Sequence, residues 1–221
     1  MRRRERDDES RRAGTCCESG GALVFPDTSS RAEGVADDDA YDLGQGAGFY
    51  IDATEAPCAR HFRIESYMSE LDEMLDKKFP VDRSLQAITG YSMGGHGALP
   101  LTAKWPGRFL SVSAFSPIYH PAERDWERKQ FQTSLGSTEA GRAQDAVCLI
   151  QESQLNLPIL INTGTEDQFS DLLKTEASAD VVGFRPTAAP IRLQNGYDHS
   201  YFFASTFMCD HVACHAAAPN A

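Results

Sequence analysis

Ser92 lies within Gly90-Tyr91-Ser92-Met93-Gly94-Gly95-His96-Gly97-Ala98, and no other stretch of the chain speaks as directly about chemistry. It fits Gly-x-Ser-x-Gly, the nucleophile elbow, in which a serine is held on a sharp turn between a strand and a helix. The pattern predicts that Gly90 and Gly94 lie beside the nucleophile where a Cβ would collide with backbone. Gly95, Gly97 and Ala98 are expected to let the following helix approach the sheet. A serine hydroxyl is a poor nucleophile until a base takes its proton. That base is normally a histidine, held in one tautomer by a carboxylate.

In enzymes built around such an elbow the order along the chain is Ser, then Asp or Glu, then His. The acid belongs just past a strand end. Pro158-Ile159-Leu160-Ile161-Asn162 runs into Thr163-Gly164-Thr165-Glu166-Asp167, which offers Asp167 and its neighbour Glu166, and spacing alone does not separate them. The base belongs after the last strand, where Gln194-Asn195-Gly196-Tyr197-Asp198-His199 presents His199. Asp198 is badly placed to orient its own neighbour. His61 precedes the serine, His96 sits on the serine's own helix, and His120 lies in a polar stretch. His211 and His215 are four apart, but no Glu-x-x-His pattern or third ligand accompanies them, so they are read as an ordinary helix surface rather than a metal face. Gly44-x-Gly46-x-Gly48 lacks the spacing of a dinucleotide loop. Neither metal nor cofactor is expected.

The elements that must position these residues follow from apolar runs and punctuation. Ser84–Thr89 reads as the strand into the elbow and Met93–Lys104 as the helix out of it. Phe62–Phe79 repeats apolar residues at three- and four-residue spacing (Ile64, Tyr67, Met68, Leu71, Met74, Leu75, Phe79) and ends at Pro80, a helix. Leu110–Phe115, Pro158–Asn162 and Ile191–Leu193 read as further strands, and 170–182 and 200–215 as helices. Ala22-Leu23-Val24-Phe25, closed by Pro26, reads as a buried strand. Residues 27–48 read as a long loop and 117–148 as a polar, irregular cap or insertion. Strands alternating with helices imply an α/β fold, a mostly parallel sheet with helices on both faces.

With 221 residues and 41% hydrophobic content, the chain can bury one α/β core. Residues 1–20 are charged and small and are expected to be disordered, so the domain is drawn from 21 to 221. The net charge of −11 argues against binding nucleic acid or anionic membranes. No apolar run is long enough to span a bilayer. The six cysteines form no Cys-x-x-Cys pair and no signal peptide accompanies them, which points to reduced thiols in the cytoplasm.

Taken together, several segments resemble S-formylglutathione hydrolase, the esterase D family of α/β-hydrolases. They are Pro26-Asp27-Thr28-Ser29, the stretch from Asp42 to Glu55 containing Gly46-Ala47-Gly48-Phe49-Tyr50, and Phe79-Pro80-Val81-Asp82. The elbow, Ser111 to Ile118, Asp167-Gln168-Phe169 and Leu193 to Tyr201 complete the match. The resemblance implies a hydrolase that cleaves the thioester of S-formylglutathione to glutathione and formate, a step of formaldehyde detoxification. It selects Asp167 over Glu166, supports His199 as base, and implies that the backbone N–H of Met93 is one oxyanion donor. It leaves a homodimer open.

The chain also departs from that family. The resemblance makes Leu23–Phe25 the fourth strand and Leu85–Thr89 the fifth, and leaves the family's first three strands without a counterpart. The fourth strand must then pair directly with the fifth or stand exposed. The loop after the third strand, which supplies the second oxyanion N–H, has no counterpart either, and an impaired fragment or a general carboxylesterase is the alternative reading. Pro100 should kink the helix that follows the elbow. Tyr91 stands where many family members carry histidine.

Overall fold

The computed structural model describes residues 20–39, 44–45, 48–119, 125–153, 155–173 and 191–218. The expected disorder of residues 1–20, His120, and most of the helix placed at 170–182 fall largely or wholly outside them.

Apolar β-branched runs become a parallel sheet. Its strands are β1 (Ala87–Tyr91), β2 (Ser111–Phe115), β3 (Ile159–Gly164) and β4 (Arg192–Gln194), in spatial order β1-β2-β3-β4. Every pairing is parallel, with Ala87 opposite Ser111, Val112 opposite Ile159 and Asn162 opposite Arg192. All four carboxyl ends therefore lie on one edge, the edge where sheets of this kind carry their sites.

Helices cover both faces. The described helices are α1 (Ile64–Lys78), α2 (Met93–Lys104), α3 (Asp125–Leu135), α4 (Thr138–Arg142), α5 (Ala146–Glu152), α6 (Ser170–Leu173) and α7 (Tyr201–Ala217). On one face Ala98 and Leu99 of α2 and Val147 and Ile150 of α5 pack on Val112, Ala114, Ile159 and Ile161. On the other, Phe203 and Ala204 of α7 pack on Phe115, with Tyr91, Tyr197 and Phe207 at the margin. A third cluster joins Phe49 and Ile51 to Ile118, Phe131 of α3 and Leu173 of α6. Among the described residues no helix is long and apolar enough to cross a membrane.

Two expectations change. Leu23–Phe25 is not a strand: residues 21–27 carry no regular structure, and Val24 and Phe25 are exposed. A strand exists only by pairing, and among the described residues no strand lies beyond β1 to pair with it. The stretch 117–148 is not simply irregular, because α3 and α4 lie within it and α5 begins in it. Ser137 caps α4 by accepting from the Ala140 N–H, and Asp145 caps α5 by accepting from Val147 and Cys148. The helix expected over 62–79 forms as α1, with its apolar stripe partly covered: Ile64 is buried, whereas Tyr67, Met74 and Phe79, the last just beyond the helix, are exposed. The helix after the elbow has the expected bounds, Met93–Lys104, with Pro100 inside it, where the proline removes one helical hydrogen bond.

Candidate active site

The elbow forms as its glycine pattern requires, though not at every glycine. Ser92 joins β1 to α2 with φ 55° and ψ −115°, a backbone conformation costly for a residue with a Cβ. The turn is braced from both sides: Ser92 N–H donates to the Phe115 carbonyl of β2 at 2.8 Å, and its own carbonyl accepts from His96 N–H at 2.9 Å. A Cβ at Gly90 would overlap the Gly94 carbonyl, so glycine is obligatory there. Gly94 itself is different. A Cβ there would meet only the Tyr50 hydroxyl, at an ordinary 3.5 Å, so the expected backbone collision is absent. Gly95 brings α2 onto the sheet, its would-be Cβ 3.2 Å from the Gly90 carbonyl and 3.3 Å from Ala114 Cβ. Gly97 serves another neighbour, the Tyr50 ring, which fills the space its side chain would need.

Asp167 and His199 come from loops after β3 and β4 and meet. His199 Nδ1 lies 2.8 Å from Asp167 Oδ2. A carboxylate only accepts, so Nδ1 carries the proton and Nε2 is left with its lone pair free. The Asp167 side chain is fully buried, and its other oxygen accepts from Phe169 N–H at 2.9 Å. Burial pushes the Asp167 carboxyl up, but the His199 hydrogen bond, the Phe169 N–H and the charge of His199 outweigh it and hold the pKa below the ordinary 3.8. The acid thus stays ionised beside the imidazole. Glu166, its rival, is exposed.

Sequence reasoning missed how the two loops are tied together. Glu166 N–H donates to the Tyr197 carbonyl at 2.9 Å, and Thr165 N–H to the Gln194 carbonyl at 3.0 Å. Gln168 Oε1 accepts from His199 N–H at 3.2 Å, and Thr165 Oγ1 from Gly196 N–H at 2.9 Å. This close approach requires Gly164, where a Cβ would overlap the Tyr197 carbonyl. The Thr-Gly-Thr run at the end of β3 was the available signal. His199 is also walled by aromatic rings, Tyr91 on one side and Phe169 on another, each with its centroid 4.9 Å away.

Met93 opens α2, where a helix leaves its N–H without an intrahelical acceptor, directly after the serine. The Ser92 hydroxyl makes no hydrogen bond among the described residues, so the contact from Ser92 Oγ to His199 is not closed in this structure. Such contacts commonly tighten only around substrate.

The remaining described histidines take other places. His96 is buried on α2, donates through Nδ1 to the Ile118 carbonyl at 2.9 Å, and is pushed down to about 4 by burial. His211 and His215 do not lie on a helix surface as expected. They face the sheet, His211 stacked on Phe115 with ring centroids 3.7 Å apart and His215 bonded to Ser111 and Ser113. Among the described residues no cluster of three or more His, Cys, Asp or Glu could hold a metal.

Residues 12–214 match the Esterase family, described as "Putative esterase". An S-formylglutathione hydrolase of Paracoccus denitrificans is 54% identical over 201 residues, covering 90% of this chain and 72% of that protein. An S-formylglutathione hydrolase of Mus musculus is 41% identical over 210 residues, covering 92% of this chain and 74% of that one. The solved structure of an S-formylglutathione hydrolase from Agrobacterium tumefaciens superposes with a TM-score of 0.86 at 39% identity, covering 91% of this chain and 74% of that one. The fold is therefore that of the α/β-hydrolase esterases. The family match spans the elbow and both loops that meet behind it, and the chain belongs to the esterase family as one of its S-formylglutathione hydrolases.

Proposed function

We propose that this chain hydrolyses S-formylglutathione to glutathione and formate, with Ser92 as nucleophile, His199 as general base and acid, and Asp167 as its orienting carboxylate. The observation that carries this reading is the 2.8 Å bond from His199 Nδ1 to buried Asp167, at the sheet edge that also holds the strained Ser92 turn. In this reading Ser92 Oγ attacks the formyl carbonyl carbon while His199 Nε2 takes the hydroxyl proton. The oxyanion that forms is met by the Met93 N–H, at the positive end of α2. Collapse breaks the C–S bond, and the imidazolium returns its proton to the departing glutathione sulfur. Water, deprotonated by His199, then attacks the formyl ester; collapse breaks the bond to Ser92 Oγ, which takes the proton back from the imidazolium as formate leaves. Asp167 stays ionised throughout and stabilises the imidazolium. Two carbonyl additions of moderate barrier thus replace one direct hydrolysis. Among the described residues Cys58, Cys148, Cys209 and Cys214 form no disulfide, which suits the cytoplasm, where glutathione is reduced.

A slower enzyme of the same specificity is the second reading. It is favoured by Met93 N–H being the one oxyanion donor identified among the described residues, since one such donor is worth on the order of 10²–10³ in rate. The test is thioester hydrolysis by the purified chain, with p-nitrophenyl acetate as a general ester and Ser92→Ala as control. Loss of about 10⁶ in kcat for Ser92→Ala is expected, by analogy with serine hydrolases at large. Equal rates in the two proteins would overturn the nucleophile. Preference for the simple ester would make the chain a general carboxylesterase.

A further inference from the structure

We propose that Tyr91 is a positioning residue for the base, its ring holding the His199 imidazole in place and its π face stabilising the imidazolium formed in turnover. The inference rests on reading His199 as the base. A hydrogen bond from Nδ1 to Asp167 fixes one point of the imidazole but leaves the ring free to swing about that point. Two aromatic rings remove this freedom. Tyr91 lies with its ring centroid 4.9 Å from that of His199 and its plane 39° away, closer to face-on than edge-on. Phe169 stands at the same centroid distance but 81° away, nearly perpendicular. Tyr91 is itself held by Tyr201, centroids 5.3 Å apart, at the start of α7.

A cation within about 6 Å of an aromatic centroid is attracted to its face. His199 becomes such a cation only after it takes the serine proton, so the attraction is greater in the transition state than in the resting enzyme. An interaction of that kind raises kcat rather than tightening substrate binding. The Tyr91 phenol stays neutral at any working pH, because burial and the charge of Asp167 push its pKa up. The groups facing His199 are thus Asp167 from the loop after β3, Tyr91 from β1, Phe169 just before α6, and Asp198 beside it in the chain, with Tyr201 of α7 behind Tyr91. Of these only Tyr91 offers a neutral π face lying closer to parallel than perpendicular to the imidazole.

The test compares Tyr91→Phe, Tyr91→Leu and a ring-fluorinated phenylalanine placed at position 91, which keeps the shape of Tyr91→Phe and drains its π face. Steady-state kcat and KM are measured across pH. The His199 imidazole is titrated by NMR in the Ser92→Ala background, its signal identified by loss in His199→Gln. Tyr91→Phe should stay within about twofold of the parent. Tyr91→Leu should lose roughly 3- to 30-fold in kcat with KM little changed, and the fluorinated ring should fall between them. The acid limb of kcat/KM and the NMR titration of His199 should move to lower pH by roughly half a unit to one and a half, because the charged form has lost its support. Full activity in Tyr91→Leu, equal loss in Tyr91→Phe, or a loss of kcat with an unmoved His199 titration would each overturn the inference. If Tyr91→Leu fails to fold, the fluorinated ring decides alone. An active Ser92→Ala protein would instead overturn the triad itself, so the two failures are distinguishable.

Discussion

Two histidine environments lie at opposite ends of α7, and they are built for opposite purposes. His199, two residues before the helix, has a buried carboxylate on one ring nitrogen and leaves the other free. His211 and His215, near the far end, lie against the sheet with no acid bonded to either. Both nitrogens of His211 are buried and without a hydrogen bond, and burial, helped by the charges of His215 and Arg192, pushes it down to about 3. His215 bonds to Ser111 Oγ through Nδ1 and to Ser113 Oγ through Nε2, each at 2.8 Å. Because Ser113 in turn donates to Thr89, it accepts from His215 Nε2–H, which leaves Nδ1 to accept from Ser111. A neutral imidazole is thereby fully satisfied, and burial holds His215 at about 4. The difference teaches that a carboxylate partner, rather than burial alone, decides whether a histidine can take a proton.

The strongest way to break this comparison is to remove the partner. His199→Gln should lower kcat by about 10⁶, as loss of the base does in serine hydrolases generally. Asp167→Asn should cost about 10⁴, because an amide no longer fixes the imidazole with its proton on Nδ1. Neither change leaves a cavity, so the fold should persist, with a loss of about 1–3 kcal/mol from the buried partner left unpaired. Steady-state thioester hydrolysis checks both. An Asp167→Asn enzyme within tenfold of the parent would mean that the loop bonds alone orient His199.

The sequence reads more clearly at His199 than at His211. Chain order and the strand-then-loop pattern point to Ser92, Asp167 and His199, because each sits just past an apolar run that must be a strand, and the structure brings Asp167 and His199 together. Nothing in the 211–215 spacing shows which helix face meets the sheet. That follows only once Ser111 and Ser113 are seen to bond the His215 ring. Leu23–Phe25 fails for a related reason: an apolar run records that burial is possible, not that a neighbouring strand exists. The helices of 117–148 were legible in part, since Ser137 and Asp145 are ordinary N-cap residues, but the polar composition around them hides the period. The ties of Gly164 and Gln168 to the His199 loop join residues about 31 to 33 apart and leave no local pattern.

The next effect is on stability against pH. His96, His211 and His215 are held neutral in the folded chain at about 4, about 3 and about 4, while the unfolded chain binds protons near 6.5. The unfolded state therefore takes up more protons below 6.5, and stability must fall as pH drops from there toward 4. Each histidine contributes on the order of 1 kcal/mol per pH unit in this window, and nothing above it. Asp167, with its pKa depressed, adds a loss only at still lower pH, below the usual carboxylate range. Denaturant melts from about pH 8 to about pH 4.5 should be flat above 6.5 and decline below. A flat profile throughout would mean that these imidazoles reach solvent.

Within the buried pair the two members should also separate. His215→Leu strands the Ser111 and Ser113 hydroxyls and should cost roughly 1–3 kcal/mol at about pH 8. His211→Leu exchanges a ring of similar volume that makes no hydrogen bond for an apolar side chain, so it forfeits only the stack on Phe115. At about pH 8 its stability should lie within about 1 kcal/mol of the parent. At about pH 5 it should exceed the parent, because one of the three proton-uptake sites of the unfolded chain is gone. Paired melts at the two pH values measure this directly, and kcat should be unchanged in both. If His211→Leu loses as much as His215→Leu at pH 8, His211 has a partner after all, and the contrast narrows to the carboxylate beside His199.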